Sequence, residues 1–458
     1  MATTDPTPLD HSIAQWRTAV MKGRSVDEAD ADELESHLRE QIADLEASGL
    51  SDDEAFSIAV RRLGKVDELT AEYAREHGDR MWKQLVTPRT DVEPRLSIPM
   101  MLAFAALAAV LVQVARLAAT HGGDPSAELF GDQVAPWFPR NLSLLVLPVL
   151  AGYFTLVRRM PRTPTIVLLA AVGALALLVN LYPFEIGSST DQLVWLHLPF
   201  ALWFVVGAAY AGGNVRSHSK RMDVIRFTGE WAIYYALIAL GGAVLMGLTF
   251  AVLAPIAPEV IDDVLAWVLP SGIAGAVVVA AWLVEAKKSV VENLAPVLTA
   301  IFTPLFAVML VVSAVGYAIA GLGDFNRDLL AVFDVLLLVV LGLVVYGISA
   351  RSSTRAAGVM DVIRFIAVVA AIVLDVVVLI AMFARVGEYG FTANRVAALG
   401  LNLVLLVNLV GTAWFTGRLL AGRDPAVRLE RWQTGYLPVF AAWLLVVIVV
   451  LPPVFLFS

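Results

Sequence analysis

The residue best placed to do chemistry is Asp375, which stands near the middle of an apolar run about as long as a bilayer-crossing helix. An ionised carboxylate at that depth costs at least about 3 kcal/mol. It must face protein or water, or carry a proton. Stepping back by fours reaches Ala371 and Ala367, a stripe of small side chains suited to close contact with another helix. Asp375 is therefore expected to point into a helix bundle. Two roles stay open for it: a proton or cation site, or a neutral carboxyl bonded to a neighbouring helix. Asn402, Asn408 and Thr412 in the next run are its candidate partners. Asp334 lies about a turn and a half inside the end of an earlier run, shallow enough to meet water. Gln113 and Arg116 occupy the outward half of the first run, where arginine reaches headgroups. An Arg116–Asp334 pair is a further candidate.

Other chemistry finds little support. The chain has no cysteine, which excludes disulfides, thiolate metal sites and a Cys nucleophile. It contains no H-E-x-x-H, no G-x-S-x-G and no G-x-x-x-x-G-K-[ST], and its six histidines are scattered. No catalytic set, metal site or cofactor is expected, and the chain does not read as an enzyme. The Asp262-Asp263 pair reads as a solvated face or a helix start.

The elements that must position Asp375 follow from hydropathy. Hydrophobic residues make up 59% of the chain, and mean hydropathy is +0.75, far above the globular norm. Residues 1–97 hold 12 Lys+Arg against 21 Asp+Glu, net −9; the rest holds 21 against 20, net +1. An acidic prefix suits neither nucleic acid nor an anionic lipid surface, so no direct nucleic-acid contact is expected. Eleven apolar runs follow, near 98–118, 141–157, 165–182, 194–213, 231–254, 264–285, 297–320, 329–349, 364–385, 396–417 and 437–457. The fold class expected is all-α: a polytopic helical membrane protein of about 11 transmembrane helices. A small cytoplasmic amino-terminal helical bundle precedes it. The domains are 1–83 (prefix), 84–97 (linker) and 98–458 (transmembrane bundle).

Within the prefix, Trp16 and Val20 mark one helix, and Leu34, Leu38, Ile42 and Leu45 form the apolar stripe of a second. Ser51 with Glu54 makes a capping box for a third, whose buried face is Ala55, Ile58, Ala59 and Leu63. A last helix carries Leu69 and Tyr73. With the prefix inside, the inner loops and their flanks hold 16 Lys+Arg and the outer side only Arg116, Arg140, Arg327, Arg385 and Arg395. That asymmetry places the amino terminus in the cytoplasm and the carboxyl terminus outside. Pro148, Pro199, Pro270 and Pro304 interrupt runs, and Pro270-Ser271-Gly272 with Gly275 is the strongest candidate for a broken or closely packed helix. Glu230 and Glu285 sit at inner helix ends, where the helix dipole accounts for Glu230.

A hexapeptide recurs: Met222-Asp223-Val224-Ile225-Arg226-Phe227 and Met360-Asp361-Val362-Ile363-Arg364-Phe365. Both copies precede a run on the cytoplasmic side, so parallel repeat units starting near 222 and 360 are one reading. The other is a recurring helix-entry device, with Asp223 or Asp361 at the positive helix end and Arg226 or Arg364 pairing with it three residues on.

Two resemblances add to this. Glu33-Leu34-Glu35-Ser36-His37-Leu38-Arg39, Asp44-Leu45, Gly49-Leu50-Ser51-Asp52-Asp53-Glu54-Ala55-Phe56 and Arg61-Arg62-Leu63-Gly64 resemble the permease prefix (HAAS-type) domain of bacterial membrane proteins. The resemblance covers roughly residues 10–80. It implies a signalling or regulatory setting and a PadR-like regulator as partner. Glu388-Tyr389-Gly390-Phe391-Thr392-Ala393-Asn394-Arg395, with Asp361-Val362-Ile363-Arg364-Phe365 upstream, is similar to an uncharacterised family of bacterial multi-pass membrane proteins. Tyr389, Gly390, Thr392, Asn394 and Arg395 form its signature turn, and it implies no activity. Together these readings favour a sensory or regulatory protein of the bacterial cell membrane, whose prefix binds a cytoplasmic protein. A secondary transporter or channel using Asp375 is the second reading, and a structural scaffold in an envelope complex the third.

Overall fold

The computed structural model describes residues 9, 12–14, 16, 17, 28–47, 51–63, 97–120, 134–254, 259–286, 288–320, 327–351 and 357–458. The chain divides into two compact units, Met1–Glu93 and Pro94–Ser458. In the first, α1 (Glu28–Ala47) and α2 (Asp52–Leu63) pack through a core of Ile13, Trp16, Leu38, Ile42, Leu45, Ala55 and Ala59. The Ser51 amide donates to Glu54 Oε2 at 3.2 Å and its hydroxyl at 2.8 Å, the expected cap. The Ser51 hydroxyl and amide hold the Glu54 carboxyl below its ordinary range. Val20, Leu69, Tyr73 and the linker 84–97, apart from Ser97, lie outside the described residues.

Among its described residues, the second unit has eleven helices long and apolar enough to cross a membrane. This is a multi-pass membrane protein. They are α3 (Ile98–Ala119), α4 (Trp137–Val157), α5 (Arg162–Leu181), α6 (Ser189–Tyr210), α7 (His218–Leu253), α8 (Glu259–Ala286), α9 (Lys288–Ala320), α10 (Arg327–Ser349), α11 (Val359–Tyr389), α12 (Ala393–Leu420) and α13 (Ala426–Leu445). The last continues through a π-helical turn, Val446–Val450, into Leu451–Val454. Hydrocarbon offers backbone amides no partner, so each run closes its own hydrogen bonds. Leucine, isoleucine and valine point outward, as Ile166, Leu169 and Leu181 do on α5. That is an apolar surface fit for lipid contact.

Several helices begin well before their apolar runs. α7 starts at His218, capped by Ser217, and α11 starts at Val359. Hydropathy marks the lipid-crossing stretch, whereas the backbone ladder continues through polar residues. Glu230 is therefore three turns inside α7 and buried, and the helix-end account expected for it does not hold.

α8 is continuous through Pro270 rather than broken. Proline removes the donor that would serve the Ala266 carbonyl. Gln113 of α3 supplies one, its Nε2 donating to Ala266 O at 3.2 Å, to Trp267 O at 2.8 Å and to Ser271 Oγ at 2.9 Å. Gly275 brings α8 close to the Ala105 carbonyl. The π turn has a related cause. Pro453 leaves the Val449 carbonyl without its amide, and the Tyr182 hydroxyl donates to it at 2.9 Å.

The bundle has two main apolar cores. One gathers α3, α4, α6 and α8 around Phe138, Leu150, Phe154, Leu198 and Val277. The other gathers α9 to α12 around Leu310, Leu337, Ala371, Leu374 and Leu405. α7 adds Phe227 to the first core, and α13 with its π turn contributes to both, through Leu429 and Ile448.

Candidate intramembrane polar site

Asp375 projects from α11 into the second core and is fully buried. Ala371 and Ala367, on the same stripe, are buried with it, as their spacing predicts. Among the described residues, neither Asp375 oxygen has a hydrogen-bond donor. The candidate partners on α12 do not reach it, because their amides turn elsewhere. Asn402 Nδ2 donates to Asp334 Oδ1 at 2.8 Å and to its own helix at Ala398 O, 2.9 Å away. Asn408 belongs to a different cluster, with Gln433 Oε1 at 3.3 Å. Gln433 Nε2 in turn donates to Thr412 Oγ1 at 2.6 Å. Asp334 is half-buried on α10. The structure thus brings Asp334 and Asn402 together, against Met382 two turns along α11 from Asp375, and separates them from Asn408 and Thr412.

Arg116 and Asp334 do not pair. Arg116 is buried in the first half of the bundle, where its Nε donates to Gln113 Oε1 at 2.9 Å and its guanidinium lies over the Trp267 ring. Rather than snorkelling to the surface, it props the amide that repairs the Pro270 gap.

The two hexapeptide copies do different work. In the second, Asp361 accepts from the Gly358 amide at 3.0 Å and pairs with Arg364 at 3.1 Å, the expected entry device. Arg351 adds a second cation at 3.3 Å. In the first copy, Asp223 faces Lys220 at 3.8 Å and not Arg226. Arg226 instead donates to the Ser349 carbonyl at 2.8 Å, an acceptor the end of α10 leaves open. Arg364 packs against Gly347 of the same helix end, where a Cβ would press on its guanidinium. One motif from α7 and one from α11 therefore flank the last turn of α10.

The signature turn is built as a helix connector. Gly390 has φ 74°, a left-handed conformation, and its N–H closes α11 on Val386 O. Thr392 caps α12 by accepting from the Arg395 amide at 3.4 Å. Arg395 Nη1 donates to the Tyr389 and Gly390 carbonyls at 2.8 and 2.7 Å, and its guanidinium lies over the Tyr389 ring. Asn394 is half-buried beside them. Since an L side chain at positive φ costs roughly 1–2 kcal/mol, Gly390→Ala is expected to lower unfolding free energy by about that much. Gly435→Ala, at a position with open space, serves as the control. Equal stabilities by denaturant titration in micelles would refute the strain.

Sequence reading missed two polar groupings. Glu285, at the end of α8 with its side chain fully buried, pairs with Arg158 at 2.9 Å and accepts from the Tyr210 hydroxyl at 2.9 Å. Asn141 and Asn180 exchange reciprocal amide bonds of 2.8 and 2.7 Å between α4 and α5. A single Asn inside each of two consecutive apolar runs was the available signal for that pair. Comparison with known protein families, characterised proteins and solved structures gave no match to this chain.

Proposed function

We propose that this chain is a membrane-embedded sensory or regulatory protein whose acidic prefix binds a cytoplasmic protein. The observation that carries this reading is the prefix unit itself. Its described apolar residues gather in a core of their own, and Glu40, Asp44, Glu46, Asp52, Asp53 and Glu54 are exposed. A surface of that sign repels phosphate polymers and anionic lipid, and it complements a basic protein face. The resemblance to permease prefix domains supports a transcription regulator as that partner. DNA contact would then belong to the regulator.

The reading requires the prefix inside the cell and the 388–395 turn outside. Because the chain has no native cysteine, single-cysteine labelling can test this on the full-length protein. Glu388→Cys is expected to react with a membrane-impermeant maleimide in intact cells, and Glu40→Cys only after permeabilisation. The reverse pattern would overturn the orientation and the function together. With orientation established, a photo-crosslinking residue at Asp44 should trap a discrete soluble protein in living cells, and trapping none would count against the regulatory role.

A second reading, transport or conduction, draws on one observation: the two Asp375 oxygens are buried without donors among the described residues. Intramembrane carboxylates of that kind mark ion or proton routes in many membrane proteins.

A further inference from the structure

We propose that the connection from α4 to α5 and the connection from α6 to α7 together form a headgroup site for an anionic phospholipid. Its cations are Arg159, Arg162 and Arg216. The inference depends on neither the regulatory nor the transport reading.

Two spans, α5 and α6, separate the connections, which places both on one face of the bilayer whichever way the chain is inserted. They touch there. A Cβ on Gly213 would stand 2.8 Å from Pro164 Cβ and 3.5 Å from Met160 Cε, and one on Gly212 would stand 3.9 Å from Arg158 Cβ. Arg158 holds the two together, because it pairs with Glu285 of α8 at 2.9 Å and covers the ring of Tyr210, the last residue of α6. That guanidinium is thereby occupied.

Its neighbours are not. Arg159, Arg162 and Arg216 are exposed, and among the described residues none of them makes an ion pair or a side-chain hydrogen bond. Residues 158–166 and 211–217 include no aspartate or glutamate. Other basic stretches on this face carry their own counter-charge: Asp361 takes Arg351 and Arg364, and Asp424 takes Arg418 and Arg428. Arg159 also sits where another residue would fit better. It ends α4 at φ 47°, the left-handed conformation that glycine adopts without strain. No bond of its guanidinium within the described residues offsets that strain. The amino end of α5 adds partial positive charge, since its cap residue Pro161 offers no side-chain hydrogen bond.

The chemistry of the surface selects its occupant. Guanidinium groups bind phosphate through paired N–H donors. Three of them without counter-charge favour a headgroup of net negative charge over a zwitterion. The adjoining apolar side chains favour a lipid over a free phosphate. Leu156, Ile166, Val167 and Leu169 are exposed one to two turns from Arg159 or Arg162, on the membrane side. A phosphate held by the arginines would therefore set its acyl chains against the outer wall of α4 and α5.

The test is native mass spectrometry of the full chain in neutral detergent, titrated with phosphatidylglycerol, phosphatidylcholine or inorganic phosphate. The first phosphatidylglycerol should bind about tenfold or more tighter than the first phosphatidylcholine. Arg159→Gln, Arg162→Gln and Arg216→Gln should each weaken phosphatidylglycerol about fivefold and leave phosphatidylcholine unchanged. Arg423→Gln with Arg431→Gln, which removes two exposed cations elsewhere on the same face, should change neither lipid by as much as twofold. The proposal is overturned if the two lipids bind alike. It is also overturned if that control pair weakens phosphatidylglycerol as much as Arg159→Gln with Arg162→Gln, because the attraction would then be diffuse. Displacement of the lipid by an equal concentration of inorganic phosphate would overturn the choice of a lipid. Should a glutamine variant fail to accumulate, Arg159→Gly removes the cation and relieves the backbone together, and its unchanged preference for phosphatidylglycerol would count equally against the site.

Discussion

Arg158→Met should lower the unfolding free energy of the membrane unit by about 3 kcal/mol, the loss expected when one partner of a buried ion pair is removed. Glu285 stands on α8 with no side-chain exposure, while Arg158, just after α4, keeps about a quarter of its side chain exposed. The guanidinium both pairs with the carboxylate and covers the Tyr210 ring at 4.6 Å. Methionine preserves much of the packing over Tyr210 but leaves the carboxylate without that counter-charge. Adding Glu285→Gln should restore part of the loss, because the buried charge goes with it. Reversible unfolding in mixed micelles measures both variants. A single-variant loss below about 1 kcal/mol would show that the pair behaves like an exposed one.

Gly411→Val is expected to be comparably damaging, by overpacking. A side chain at Gly411 would overlap the Trp432 indole, and one at Gly400, three turns earlier on the same face of α12, would overlap Trp443. Trp432 cannot easily retreat. Its Nε1 donates to the Asn408 carbonyl at 3.2 Å, and its ring packs between Phe415 and Tyr436. In a bilayer the contact between α12 and α13 depends on such close approach. A cost of about 1–3 kcal/mol is expected for the steric clash alone. Trp432→Ala in the Gly411→Val background should relieve part of the clash despite opening a cavity. Unchanged thermal stability of Gly411→Val would mean that the tryptophan swings aside without penalty.

Which parts of this architecture can be read from the residues, and which cannot, has a physical basis. The eleven helices long and apolar enough to cross, among the described residues, are legible because hydrocarbon penalises each polar side chain independently of its neighbours. The inward direction of Asp375 is legible too, from Ala367 and Ala371 on its stripe. Helix ends are less so, since Met222–Phe227 and Met360–Phe365 are too polar to score as apolar yet continue the backbone ladder. The partner of a buried amide is the least legible of all. Asn402 and Asn408 lie on one helix, six residues apart, but face different neighbours. That choice is set by the azimuth of α12 against α10 and α13, which no spacing rule specifies. Pro270 illustrates the same limit. The gap in its hydrogen-bond ladder is readable, but its repair by Gln113, more than 150 residues earlier, is not.

α10 links the two polar regions of the bundle's second half. Asp334 lies toward one end of it, and at the other the Ser349 carbonyl is held by Arg226 while Gly347 abuts Arg364. Fifteen residues of unbroken helix separate Asp334 from Ser349, about 22 Å of rigid rod. Twisting that rod to realign Asp334 would swing the Ser349 oxygen away from its guanidinium. A rotation of α10 begun at the Asp334 end would then be felt, as torque, by the arginines at the Ser349 end.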